Sequence, residues 1–295
     1  MFLRSASLAL LSILLFAPVP AQESGISFKS TEVAPGLYML EGQGGFAGGN
    51  LGLLTGADGV MLIDDGLPPL TATMQAAIGK LTKGPVAFVV NTHVHGDHIG
   101  GNEALGKKGA TIVAHDKLRQ RLVADGIRGE PASKEALPVL TFSDSATFHL
   151  NGRTALVFHV EHAHTDGDAV IHFREDNVIH TGDTMFNGMF PFIDLDSGGS
   201  VEGYIAAQKR ILAIADDQTK IIPGHGPLAS KKDLKAAVEM LETTHRRVKA
   251  LVDAGKSEDE ILAANPLKDY DEEWNWSFIT TERMTKTLYR ALTDK

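Results

Sequence analysis

The sequence predicts an α/β (α+β) fold made of two similar β/α halves packed face to face, with helices on the outside. Runs of β-like segments pass into β/α alternation, the same pattern recurs in the second half, and the tail carries apolar residues spaced by three and four. At 295 residues, 43% hydrophobic and 22% charged, the chain can bury a large core and has the composition of an ordinary soluble enzyme.

In the first half, Leu37–Glu41, Asn50–Thr55 and Val60–Asp64 read as strands. Between the first two lies Gly42–Gly49 (GQGGFAGG), a glycine-rich, mobile loop with one aromatic residue, Phe46. Pro69–Lys80 reads as a helix, and Val86–Asn91 as a short buried strand ending at a histidine cluster. Glu103–Leu105, Thr111–Ala114 and Asp116–Ala124 continue as helix, strand and helix. The second half restarts with strands at Ala146–Leu150, Ala155–Val160, Ala169–Phe173 and Val178–Thr181. A helix at Val201–Ala215 leads to the strand Lys220–Ile222, and Lys231–Ala254, Glu258–Ala263 and Phe278–Leu292 form a helical tail.

The first residues predict export. Arg4 is followed by an almost unbroken apolar run, Ala6–Ala17, too short to span a bilayer comfortably. Val19-Pro20-Ala21 then offers small residues for a signal peptidase, so residues 1–21 are expected to be cleaved, with Gln22 as the new N-terminus in the periplasm or outside the cell. An uncleaved anchor is the alternative, against which stands the lack of a basic stop-transfer flank. The formal charge is −9, and loss of Arg4 makes it one unit more negative, which argues against nucleic acid as a partner. After cleavage no membrane association is expected, and the partner is a small-molecule substrate. There is no cysteine, so any metal site must be built from His, Asp and Glu.

The strongest chemical signal is His93-x-His95-x-Asp97-His98 within Thr92–Asn102 (THVHGDHIGGN). Three imidazoles and a carboxylate within six residues cannot share one helix face. In a turning loop His93 and His95 can hold one ion while Asp97 and His98 hold a second, and Gly96, Gly100 and Gly101 allow the tight turns. Downstream, His164, Asp183 and His225 each follow a strand, where rigid scaffolds display chemistry. Together these seven residues are enough for two ions and a shared water. Nitrogen and oxygen ligands without sulfur suit Zn(II) and permit Fe or Mn.

In order and across almost the whole of residues 22–295, five segments resemble the metallo-β-lactamase superfamily. Leu62-Ile63-Asp64-Asp65-Gly66 is similar to its first motif, in which an aspartate supports a ligand from behind, and Asp64 matches that position. His93, His95, Asp97 and His98 match its HxHxDH signature in full, and His164, Asp183 and His225 match the remaining ligand positions. The resemblance implies an αββα sandwich, in one domain over residues 22–295, with two zinc ions at the edge of the two sheets. It implies that His93, His95 and His164 hold the first metal, that Asp97, His98 and His225 hold the second, and that Asp183 bridges them. Glutamate in place of His95 would indicate a di-iron redox branch, so His95 favours hydrolysis.

Two dications acidify a shared water to near neutrality and polarise a carbonyl. Asp97 is the expected catalytic residue, orienting that water and carrying its proton toward the leaving group. The expected activity is hydroxide attack on a lactam- or ester-type acyl carbonyl, β-lactamase-like and broad in substrate. Export and the Phe46 loop favour it. Asp183 counts against the sulfur-ligand lactamases, which carry cysteine there and usually a lysine three residues on, where this chain has Phe186. The alternative is a thioesterase or lactonase resembling the glyoxalase II branch, which uses a bridging aspartate, although export away from cytosolic glutathione weakens its glyoxalase version. A non-catalytic exported metal-binding protein is a third reading. Phe46, Phe186, Phe190 and Phe192 are candidates for the substrate pocket, with core packing an equal alternative for the cluster that includes Met189. Trp274 and Trp276 are expected to pack the C-terminal helices, with the mouth of the site as the lesser alternative. Of the remaining histidines, His162 and His180 lie near enough to ligands to support them.

Overall fold

The computed structural model describes residues 25–127 and 129–294. The leader expected at residues 1–21 lies outside them. Seven strands form the first sheet in chain order: β1 (Ser27–Ala34), β2 (Leu37–Gln43), β3 (Leu51–Leu54), β4 (Val60–Ile63), β5 (Val86–Val90), β6 (Thr111–His115) and β7 (Leu140–Phe142). β1 to β4 run antiparallel, and β4 to β7 run parallel. Parallel neighbours need crossovers, and α1 (Thr71–Leu81), α2 (Asn102–Gly106) and α3 (Asp116–Asp125) supply them.

The second sheet holds β8 (Ser145–Leu150), β9 (Arg153–His159), β10 (Ala169–Phe173), β11 (Val178–His180), β12 (Lys220–Ile222) and β13 (Ala229–Ser230), in reverse chain order across the sheet. Its one parallel pair, β11 with β12, is bridged by α4 (Val201–Ile214). The helical tail is α5 (Lys231–Asp253), α6 (Glu258–Ala264), α7 (Asp271–Trp274) and α8 (Thr281–Thr293).

Side-chain alternation explains why both sheets are buried on both faces. On β4, Met61 and Ile63 enter the core between the sheets, while Val60 and Leu62 pack with Met74 and Ile78 of α1. On β10, Ala169, Ile171 and Phe173 face the same inter-sheet core, and Val170 joins Ala207 and Ile211 of α4. The result is the expected αββα sandwich. A further apolar cluster ties Tyr204 of α4 to Leu241, Val248, Ile261 and Leu288 of the tail.

Three strands were not expected. β1 is an edge strand with only Val33 buried, and β7 and β13 are too short to show a period. β4 stops at Ile63 instead of Asp64, because Asp64 takes a positive φ of 56° and leaves the ladder. α8 begins after Thr280, whose side chain accepts from the Arg283 N–H, so residues 278–280 expected in that helix stand outside it.

Candidate metal centre

Every candidate ligand lies beyond a strand end, on one rim of the sandwich. Asp64 follows β4, the His93–His98 loop follows β5, His164 lies between β9 and β10, Asp183 follows β11 and His225 follows β12. The structure brings the seven predicted ligands together as two adjoining groups: His93, His95, His164 and Asp183, and Asp97, His98 and His225.

Asp183 touches both groups. Its Oδ2 lies 3.7 Å from His93 Nε2, 3.5 Å from His164 Nε2 and 3.4 Å from His225 Nε2. Its Oδ1 lies 3.1 Å from His98 Nε2. Asp97 Oδ2 stands 3.6 Å from His98 Nε2 and 3.5 Å from His225 Nε2. Ligands about 2.0–2.1 Å from a tetrahedral zinc are about 3.3 Å apart, so these spacings fit. A second observation supports the fit. His93 Nε2, His98 Nε2 and Asp183 Oδ1 are buried without a hydrogen-bond partner, a costly arrangement unless a cation occupies the space they face.

The imidazoles of His98, His93 and His164 are each fixed from the far side through Nδ1, which leaves the Nε2 lone pair aimed inward. Asp64 Oδ2 accepts from His98 Nδ1 at 2.8 Å and from Thr92 Oγ1 at 2.7 Å. Thr92 Oγ1, having donated its proton, accepts from His93 Nδ1 at 3.0 Å. Asp64 therefore orients two ligands, one directly and one through Thr92, and its Oδ1 also accepts from the Thr92 N–H at 2.7 Å. His164 Nδ1 donates to the Phe192 carbonyl at 2.8 Å. His95 is turned the other way: Nδ1 faces His164 Nε2 at 2.9 Å, and Nε2 donates to Asp194 Oδ2 at 2.8 Å.

Asp194 was missed in the sequence, as was Asn50. Asn50 donates from Nδ2 to the carbonyls of Pro223 and Gly226 at 2.9 and 2.8 Å, and its N–H to Gly224 at 2.7 Å, holding the turn that carries His225. Just before Asn50, the end of the Gly42–Gly49 loop packs on the ligands: a Cβ on Gly49 would sit 2.2 Å from His98 Cε1. His180, buried nearby, accepts from the Gly182 N–H and donates to the Asn50 carbonyl, whereas His162 is exposed and bonded to the Gly198 carbonyl.

The charges follow from this packing. Burial opposes ionisation of His98, but Asp183, Asp97 and Asp64 outweigh it and raise its pKa well above the usual histidine value. Burial also opposes the Asp183 anion, yet His98, His225 and His93 hold its pKa well below the usual carboxylate value. His164, whose burial dominates, falls to about 3 and is neutral at pH 7. A field that draws a proton into this cluster favours a divalent cation for the same reason.

Above the ligands opens a cleft of about 500 Å³. Phe46, Phe186 and Phe192 line it, as the sequence suggested, together with Leu67, Trp276 and Phe278. Phe190 does not: it is fully buried in the cluster of the C-terminal helices, near Trp274 and Tyr270. Its position in the same short aromatic run gave no hint of the difference. Trp274 is buried in the cluster of the C-terminal helices, and Trp276 does both: it packs against that cluster and lines the cleft.

A family model for the Metallo-beta-lactamase superfamily matches residues 44–225. The chain is 29% identical over 210 residues to a hydroxyacylglutathione hydrolase from a Polaromonas species, a match covering 66% of this chain and 73% of the relative. Its fold is similar to that of a metallo-beta-lactamase from Pontibacter korlensis, with a TM-score of 0.63 at 19% identity over 73% of this chain and 99% of that one. It is also similar to a stereoselective inverting sec-alkylsulfatase from Pseudomonas sp., with a TM-score of 0.69 at 19% identity. That match takes in 90% of this chain and 50% of the sulfatase. At 19% identity the two structures speak to the fold alone.

Proposed function

We propose, from the premise that this chain belongs to the metallo-beta-lactamase superfamily and is a metal-dependent hydrolase, that it uses two zinc ions to cleave ester- and thioester-type acyl bonds of small molecules. The observation that carries the binuclear reading is the single carboxylate of Asp183, within 3.1–3.7 Å of ligand nitrogens from both groups. A storage site needs no such shared carboxylate. Acyl chemistry is favoured by the name of the Polaromonas relative, a hydroxyacylglutathione hydrolase.

When bound, the two dications would acidify a water to near neutrality and polarise the acyl oxygen. The chain's own part is to orient and to move a proton. Asp97 Oδ2 stands beside the nitrogens of His98 and His225 at the floor of the cleft, with a fifth of its side chain exposed. From there it can orient the attacking water and pass its proton to the leaving group. Asp64, Asp194 and the Phe192 carbonyl keep their histidines in the tautomer that ligates. With substrate seated between them, the aromatic walls would shield the reacting centre from bulk water.

Lactam hydrolysis is a second reading, favoured by Phe46. It is 59% exposed on the glycine-rich loop and lies near-parallel to the His225 ring at 6.0 Å, where it can cover a flat substrate. Metal analysis, with turnover of thioester, ester, lactone and cephalosporin substrates before and after chelation, tests both readings. About two zinc per chain and chelator-sensitive thioester or ester turnover is the expected result. Metal without turnover of any acyl substrate, or full activity in Asp97→Ala, overturns the proposal.

Export belongs to the proposal as well, and rests on Arg4, the apolar run Ala6–Ala17 and Val19-Pro20-Ala21. N-terminal sequencing that begins at Gln22 in a periplasmic or extracellular fraction supports it. Met1 on the soluble cytosolic protein overturns it. Among the described residues no helix is long and apolar enough to cross a membrane.

A further inference from the structure

The ligands and the cleft walls form one continuous aromatic circuit. Starting from His225, the Phe186 ring lies 4.8 Å away, Trp276 follows at 6.0 Å and Phe278 at 5.5 Å. From Phe278 the circuit returns through Phe192 at 5.5 Å to His95 at 5.7 Å. The walls carry two polar side-chain groups and both are uncharged: Trp276 Nε1, which donates to the Phe190 carbonyl at 2.9 Å, and the exposed hydroxyl of Ser277 at the mouth. Among the described residues no lysine or arginine lines the cleft. Arg283 comes near it, but its guanidinium stacks on Phe278 at 4.0 Å, bonds the Phe278 carbonyl and lines a neighbouring depression with Asp196, Glu258 and Lys286.

Resting on the acyl-hydrolase reading above, we infer that the part of the substrate remote from the scissile bond is uncharged and apolar, an aromatic or branched hydrocarbon acyl group. Cations held by the His and Asp cluster at the floor of the cleft would meet negative charge at the reacting carbonyl. They would not meet it at the far end, where a carboxylate would lose water against aromatic faces with no cationic partner and only the neutral Ser277 hydroxyl near the mouth. An aromatic acyl group would instead bury its faces against Phe186, Trp276 and Phe278, with offset or edge-on ring geometry available to each. This separates the protein from hydrolases whose substrates carry remote carboxylates, whatever bond they cleave.

The test pairs two thioesters of one neutral thiol, phenylacetyl and 4-carboxyphenylacetyl, on the zinc-loaded protein. The expected kcat/KM is lower for the carboxylate by about tenfold or more, as for a charge buried without a partner. Phe278→Lys, which adds a cation at a half-exposed position of the mouth, is expected to shift the ratio toward the carboxylate. Equal kcat/KM for the two thioesters on the wild-type protein overturns the inference. Binding without turnover supplies an independent arm: the neutral amide phenylacetamide should change the tryptophan fluorescence of the wild type and not that of Trp276→Phe. If neither thioester is cleaved but this response is selective for the uncharged amide over its 4-carboxylate, the substrate class stands and the hydrolytic reading falls. No response to the neutral amide overturns the substrate class.

Discussion

His95 and Asp194, 99 residues apart in the chain, are joined by a 2.8 Å hydrogen bond that turns the imidazole so that Nδ1, not Nε2, faces the other ligands. The same loop gives the Phe192 carbonyl to His164 and the Asp194 N–H to the His164 carbonyl, so one segment positions two ligands of one group. Asp194 itself is held by the Ser197 N–H, and despite its partial burial these bonds and His95 keep its pKa below the ordinary carboxylate value. Asp194→Ala should weaken binding at the first metal position by roughly 10–100-fold, as losing a carboxylate behind a ligating histidine does. Asp194→Asn, which can still accept from Nε2, should lose less. Competition with a chromogenic chelator measures both, and unchanged affinity in Asp194→Ala would deny the residue this role.

Asp64 has a larger share in stability. It is fully buried, adopts φ 56° and accepts from Thr92 N, Thr92 Oγ1 and His98 Nδ1. Asp64→Ala strands three buried donors and should cost about 3 kcal/mol or more. Asp64→Asn tolerates the left-handed backbone and keeps part of the bonding, so the loss should be smaller. Urea unfolding of the two metal-free variants decides the order; an alanine variant as stable as the asparagine one would contradict it.

The close approach of Gly49 to His98 gives a steric test of the second metal group. Added at Gly49, a Cβ would lie 2.2 Å from Cε1 and 2.6 Å from Nε2 of a ring fixed behind by Asp64. Gly49→Ala should displace that ring and lower the metal content by one ion per chain. Gly79→Ala, inside α1 with nothing within 4 Å, is the control and should gain about 0.5–1 kcal/mol of stability from its helix position. Equal metal content in both variants would count against the assignment of His98.

Much of this was legible in the sequence, and for physical reasons. Strands buried on both faces, such as Val60–Ile63 and Ala169–Phe173, are continuous apolar runs, and a ligand-rich loop such as His93–His98 has little use in a core. What hid from the sequence depends on long-range closure. Asp194 reads as an ordinary loop residue, and Asn50 as the first residue of a strand that in fact begins at Leu51, until the chain folds His95 and the 223–226 turn against them. The aromatic run after Asp183 splits for the same reason, Phe190 going to the helical core and Phe192 to the cleft.

Acid should destabilise the metal-free protein partly through His180. Burial chiefly lowers its pKa, to about 4, against 6.5 for an exposed histidine. A group kept neutral in the fold contributes its full stability above pH 6.5, and that contribution falls away as pH drops toward 4, because only the unfolded chain takes up the proton. The loss expected across that window is ~3 kcal/mol. Asp168, raised to about 7 mainly by burial, acts with the opposite sign: its contribution is present in acid and lost as pH rises through 7. Comparing wild type with His180→Asn, which can still accept from Gly182, cancels the Asp168 share. Urea midpoints from pH 7 to 4 should fall less steeply in the variant, and parallel profiles would remove His180 from the account.

Phe46 separates substrate cover from ligand support. Its ring is 59% exposed and near-parallel to His225, so a substrate lying over that histidine would shield it from water. Burying an aromatic face on binding stabilises bound substrate and transition state alike, which appears in KM more than in kcat. Phe46→Ala should therefore raise KM roughly tenfold for an aromatic acyl thioester, with kcat changed little. If the ring instead holds His225 in place, metal affinity at the second group drops and kcat falls with it. Measuring zinc content beside the steady-state constants separates the two, because a cover leaves the metal bound and a prop does not.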